Sequence, residues 1–453
     1  MEKQRLIIIT LVCLMVVGII IRLWPFDMPY SLDEASYISL AEGIINHGEY
    51  GWIDGLHMEG QRAPLLSFLL VLPELVGGMQ LTWLVMPLIS VLSIAILYVF
   101  LGKRDKEAAL FAAAALAVST VNLFLSQRVL AENLVCLLLI ADVFVFVNAL
   151  KDRRWLIPFA VLTALTFLAR YDAIAGLLPL PVYLVWKEKG RLREFFSDRA
   201  VWSSVAVFFV VLAPWALHSF FNFGNAVGAA TTLGSAVRMQ PLTVNFLVQT
   251  VAVMGFMLPF VVVGLLRVRN DIVKVTAVMA ASYIIFHGLL IPSIRYLAPL
   301  TGLFAILAAF GVTGWRWKGA KTVFVLLAVG SLFVGTYYMF MVSNPSATDD
   351  WLLGALHVTR HDVSAFQEYR EAAGLLTGEG PVITTMPSIA HLYTGKQVFL
   401  LPENETEFQQ LADRTGSKYV YLHETPTLPD WVRRLPLVYD GEWVKVYEVL
   451  KHG

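Results

Sequence analysis

Ten long apolar runs, with lysine and arginine gathered in alternate connections between them, confine this chain to a multi-pass helical membrane protein. The first run, Leu6 to Trp24, has 19 residues, and a helix needs about 20 to cross a hydrocarbon core of ~30 Å. The composition agrees, with 57% hydrophobic and 15% charged residues against roughly 25% charged in soluble domains. Basic and acidic side chains balance at 34 each, so the total charge carries no footprint for nucleic acid. Cys13 and Cys136 both lie inside apolar runs, which removes a disulfide framework and a cysteine-rich zinc site together.

Lys3 and Arg5 precede the first run and PFDMPY follows it without a small-residue cleavage site, so it reads as a retained anchor. Nineteen Lys and Arg residues fall on one side of the membrane, in clusters such as Lys103 to Lys106, Lys151 to Arg154 and Lys187 to Arg199. By the positive-inside rule that side is cytoplasmic. The opposite side, before the final segment, has only Arg22, Arg62, Arg128, Arg170, Arg238 and Arg295. Residues 64–78 are too short to span and read as a short helix dipping in from the outer face. The run 155–186 has basic clusters at both ends and therefore reads as a hairpin turning at Arg170-Tyr171-Asp172. The expectation is a mainly α polytopic protein of about eleven transmembrane helices, N-terminus cytoplasmic and C-terminus outside.

After Met341 come 112 residues with 15 acidic and 9 basic side chains. The chain thus divides into a transmembrane domain, 1–341, and an extracytoplasmic domain, 342–453. In the latter, the helical patterns DVSAFQEYREAAGLL and ETEFQQLADRTG alternate with PVITTM, KYVYL, PLVYDG and WVKVYEVL, which predicts a small α/β domain. Asn404-Glu405-Thr406 has the form of a glycosylation sequon. No internal repeat or low-complexity tract is visible.

Chemistry points to the outer face. The loop from Pro25 to Arg62 holds seven acids and one base. Within it, Ser31 and Glu34 form a predicted capping box opening a helix with Ile38, Ala41, Ile44 and Ile45 at helical spacing, which reads as an interfacial amphipathic helix. Asp33 and Glu34 at its start, taken alone, read as helix caps, and their place on the outer face opens an acid–base role. Further outer-face charges recur at span ends: Arg62, Arg128 with Glu132, Arg170 with Asp172, and Arg295. Each arginine alone suits an interfacial anchor or ion pair. As a set on one membrane face, with planar forks that fit phosphate, they read as a lipid-phosphate site. Asp142, in mid-span, has no partner identifiable from sequence.

The order of these motifs resembles a known family: Asp33-Glu34 opening a helix that ends in NHGEYG, then Arg62-Ala-Pro-Leu, Ser126-Gln-Arg-x-x-x-Glu132-Asn, Leu168-Ala-Arg-Tyr-Asp172, and Ile294-Arg-Tyr-Leu-Ala-Pro299. This pattern is similar to the GT-C superfamily of membrane glycosyltransferases, in the branch of dolichyl-phosphate-mannose protein mannosyltransferases and lipid A aminoarabinose transferases. The resemblance implies sugar transfer from a polyprenyl-phosphate donor to an acceptor hydroxyl of a protein, glycan or lipid, with inversion. It implies Asp33 as general base, with Glu34 beside it as the second catalytic candidate, positioning the acceptor or holding Asp33's orientation. Arg62, Arg170, Arg295 and Tyr296 are the candidates for the lipid phosphate, with Arg128, Glu132 and Asp172 as secondary candidates.

No cofactor is required by this chemistry, because arginine can neutralise a monophosphate leaving group. A divalent metal stays open through His47 and His57 in the acidic loop. His357 and His361 lack the glutamate of a zinc-protease motif. The alternatives from other classes are a secondary transporter and a non-catalytic membrane scaffold. Against the transporter stand charges clustered on one face and the absence of a repeat.

Overall fold

The structure is a computed structural model and describes residues 2–26, 30–53, 56–57, 62–224, 243–267, 269–290, 294–342, 360–376, 380–423 and 428–449. The chain forms two units: residues 1–26, 60–66 and 83–340 make one, and residues 27–59, 67–82 and 341–453 the other. Residues 27–59, most of the acidic loop, therefore group with the C-terminal residues.

The first unit is helical. Among the described residues, eight helices are long and apolar enough to cross a membrane: Gln4–Leu23, Val85–Gly102, Glu132–Ala149, Arg199–Asn222, Val244–Arg267, Asp271–Leu290, Arg295–Gly314 and Ala320–Met339. They coincide with eight of the eleven expected spans. The three other expected passages fall on shorter helices. The run 107–125 breaks at Ser119, extended at ψ 116, into Lys106–Val118 and Thr120–Leu125. The run 155–186 becomes Leu156–Ala169 and Pro179–Lys187, separated by a 3-10 turn, Tyr171–Gly176.

Small residues set the packing. Lys106–Val118 is alanine-rich and buried over most of its length, which lets neighbouring helices approach its backbone. The helices Leu258–Arg267 and Thr301–Gly314 cross at Gly264 and Gly311, where an added Cβ would fall inside contact distance of Leu307 O or Phe260 O. Outward side chains such as Val16, Leu88, Phe209 and Phe333 are exposed and apolar, the surface a lipid environment solvates.

In the second unit, a two-residue hairpin pairs β1 (Trp52–Ile53) with β2 (Leu56–His57). A five-stranded mixed sheet follows, built from β3 (Val382–Thr384), β4 (Val398–Leu400), β5 (Tyr419–His423), β6 (Leu437–Asp440) and β7 (Val444–Glu448), in the order β4-β3-β5-β7-β6. β3 runs parallel to β4 and β5, and the remaining pairs are antiparallel. β5 alternates between two faces. Val420 and Leu422 pack with Phe408 and Ala412 of the helix Glu405–Thr415. On the other face the Tyr421 hydroxyl donates to Tyr369 O in the helix Arg360–Gly374. The α/β expectation holds; the additions are β4 and the helix Pro387–Thr394. Asn404 of the sequon caps Glu405–Thr415, its Oδ1 accepting from Glu407 N at 2.8 Å.

Candidate active site

Glu132 organises the charged cluster of the first unit. It opens the helix Glu132–Ala149 and is 1% exposed. Its Oε1 accepts from Arg170 Nη1 at 2.8 Å and from Arg295 Nε at 2.6 Å. Arg170 sits where the chain turns extended (φ −158°, ψ 126°) and ends the helix Leu156–Ala169. Its Nε and Nη2 donate to the two carboxylate oxygens of Asp172 at 3.0 and 2.7 Å, so all three guanidinium nitrogens are engaged. Arg295 comes from the single turn Ile294–Leu297. Three segments remote in sequence thus join two cations to two carboxylates, and the four charges balance. Pairing offsets the desolvation that any one of them would suffer alone. The Oε2 of Glu132 has no hydrogen-bond partner among the described residues.

An aromatic stack lies against this cluster. The Arg170 guanidinium stands 4.6 Å from the centre of the Tyr296 ring, a cation–π contact. His287 stacks on Tyr296 at 5.6 Å with the planes 6° apart and lies 3.6 Å from the Asp172 carboxylate. Tyr283 approaches His287 at 4.4 Å between ring centres. Neither His287 nor Tyr283 was among the sequence candidates. The available signal was an ionisable residue inside an apolar span, Asp271–Leu290. The Tyr171 hydroxyl donates to Arg62 O at 3.3 Å, which brings Arg62 to the hairpin turn. Arg128 is buried in the turn that precedes Glu132.

Asp33 and Glu34 belong to the second unit. The expected capping box is present: the Ser31 side chain accepts from Glu34 N, and Ser31 N donates to Glu34 Oε2 at 2.7 Å. Glu34 is thereby buried as a cap, whereas Asp33 is half-buried. The helix Leu32–His47 differs from the amphipathic expectation. Every residue from Glu34 to Ala41 is buried, because Ala35, Ser36, Ser39 and Ala41 let neighbours close in on several sides. One such neighbour is the helix Pro387–Thr394. Ser36 and Ser39 meet Ser388, the His391 Nε2 lies 3.0 Å from Glu42, and Tyr30 N donates to the Tyr393 hydroxyl at 2.8 Å.

Arg238, His357 and the side chains of His57 and His361 lie outside the described residues. Among the described residues, no three His, Cys, Asp or Glu side chains come together as a metal site would require. Asp142 gains a partner, accepting from the Thr166 hydroxyl at 2.9 Å.

Residues 61–218 match the family model of dolichyl-phosphate-mannose-protein mannosyltransferases. No curated protein matches the chain in sequence. Among solved structures, ArnT from Cupriavidus metallidurans bound to undecaprenyl phosphate aligns with a TM-score of 0.66 at 14% identity, covering 97% of this chain and 98% of that one. The Archaeoglobus fulgidus oligosaccharyltransferase in complex with Zn and sulfate aligns at 0.55 and 14% identity, covering 90% of this chain and 68% of that one. The same enzyme tethered to an acceptor peptide aligns at 0.52 and 13% identity, covering 91% and 69%. The chain shares the fold of these structures over nearly its whole length, and its residues 61–218 match the mannosyltransferase family model.

Proposed function

We propose that this protein transfers a sugar from a polyprenyl-phosphate donor to an acceptor hydroxyl at the outer membrane face. The observation that carries the reading is the buried Glu132–Arg170–Arg295 cluster against Tyr296, in a fold shared with an enzyme bound to undecaprenyl phosphate. In this reading the acceptor oxygen attacks the anomeric carbon opposite the phosphate. The carbon–oxygen bond to phosphate breaks with its electron pair leaving on the phosphate oxygen, and the configuration inverts. Asp33, half-buried at a helix start, takes the acceptor proton as general base. Glu34 holds that helix start in place through Ser31.

Charge grows on the departing phosphate, and fixed cations there accelerate departure. Arg295, 20% exposed on the rim of the cluster, and the Tyr296 hydroxyl face this task, with Arg62 and Arg128 adding positive charge. Arg170, engaged by Asp172 and Glu132, belongs to the phosphate side chiefly by holding Arg295 through the shared Glu132 oxygen. In this reading the N-terminus is cytoplasmic and residues 342–453 are extracytoplasmic.

The test supplies the purified protein with a panel of polyprenyl-phosphate sugars and an acceptor mixture, and follows free polyprenyl phosphate. Release with one donor supports transfer. Substrate flux into sealed proteoliposomes without any release would instead favour a transporter.

A further inference from the structure

Arg22, at the end of the first span, is fully buried and uses all five of its N–H groups. Nε donates to Ser90 Oγ at 2.8 Å, Nη1 to Gly18 O at 2.9 Å and Ala117 O at 2.5 Å, and Nη2 to Leu116 O at 3.0 Å and Asn122 Oδ1 at 2.9 Å. None of these acceptors is a carboxylate. Two of them are carbonyls at the C-terminal end of the helix Lys106–Val118, where the helix dipole favours a cation. The first span passes close at the same level, for a Cβ on Gly18 would lie 2.5 Å from Ala117 O.

The network continues past the capped helix. Asn122 Oδ1 also accepts from Ser90 Oγ at 3.0 Å, and Asn122 Nδ2 donates to Asn133 Oδ1 at 2.8 Å. Asn133 follows Glu132 directly. The Arg22 carbonyl meanwhile accepts from Gln127 Nε2 at 2.5 Å. The segment 116–133, which carries Arg128 and Glu132, is thus tied to Arg22 at its start and middle, and through Asn122 at its end. An arginine that only capped a broken helix would need the two carbonyls and no more. A cation without a carboxylate inside a helix bundle is costly, and a satisfied polar network of this kind fixes one geometry.

We propose that Arg22 is a positioning residue for the phosphate side of the site, fixing Glu132 and, through the shared Oε1, Arg295. The ligand in this inference rests on the reading of the site given above. The test uses full-length Arg22→Lys, Asn133→Ala and the double variant in detergent, with undecaprenyl phosphate as probe and hydrogen exchange as a second readout.

The expected result is exchange raised about tenfold or more over 126–134 and 294–300 in both single variants, with β5 unchanged. Affinity for undecaprenyl phosphate falls about tenfold or more, and the double variant is no worse than the weaker single one, because both act along one path. If exchange rises only over 108–122 while 294–300 and the affinity stay at wild type, Arg22 merely caps a helix and the proposal is overturned. Should Arg22→Lys fail to fold, Asn133→Ala decides alone, since it leaves Arg22 intact. If the wild type binds no undecaprenyl phosphate yet exchange spreads to 294–300, the positioning role stands and the lipid-phosphate reading fails.

Discussion

Arg295 Nε and Glu132 Oε1 stand 2.6 Å apart across 163 residues of sequence, on the same oxygen that Arg170 reaches at 2.8 Å. One buried carboxylate thus holds two cations, and its removal takes the shared acceptor from both. Breaking a buried pair costs on the order of 3–5 kcal/mol. Glu132→Gln, similar in size, is therefore expected to lower the melting temperature in detergent and to weaken binding of polyprenyl phosphate together. An unchanged melting curve would show that the cluster contributes nothing to the fold.

The two arginines are expected to separate in their effects. Arg295 reaches Glu132 through Nε and is 20% exposed, whereas Arg170 engages Asp172 and Glu132 through all three guanidinium nitrogens and is 9% exposed. Arg295→Met is expected to reduce kcat by about 10²–10³-fold, the scale of a lost oxyanion donor, with a small change in melting temperature. Arg170→Met is expected to destabilise strongly. Paired thermal melts and steady-state kinetics distinguish them, and identical profiles for the two variants would refute the division of roles.

Ser388 lies against Ser36 and Ser39, below the start of the helix that carries Asp33. Ser388→Leu overfills this contact at a cost of about 1–3 kcal/mol. In the proposed mechanism it disturbs the acceptor side, so kcat is expected to fall while affinity for polyprenyl phosphate stays at wild type. A loss of affinity with kcat intact would contradict that assignment.

The crossing at Gly264 and Gly311 has no room for a side chain. Gly311→Leu is expected to abolish the folded monodisperse peak in size-exclusion chromatography, and Gly330→Leu, with nothing near its added Cβ, to preserve it.

What could be read from sequence was local. The cap joining Ser31 to Glu34 spans three residues and follows from residue type alone. β5, β6 and β7 announce themselves through aromatic and β-branched runs, while β4, three residues long, does not. Apolar runs conceal their breaks, so Ser119 divides what composition reads as one continuous span, whereas the turn after Arg170 falls where the basic clusters at both ends of the run 155–186 place it. Arg22 counts as one outer-side charge in a topology argument, and its five acceptors appear only when helices pack. The same holds for His287, whose approach to Asp172 joins segments more than 100 residues apart. Arg170 and Glu132 were legible as candidates because both are ionisable at span ends; their shared oxygen was not, because pairing depends on tertiary placement.

The most direct test of the account compares wild type with Asp33→Asn, each in detergent with a consumed polyprenyl-phosphate sugar and its acceptor, following release of free polyprenyl phosphate. The account expects the variant to fold and bind donor as wild type does while turnover falls about 10²-fold or more, the contribution of a general base. Equal turnover by both proteins would contradict it, and would leave Asp33 as a residue of the helix start alone.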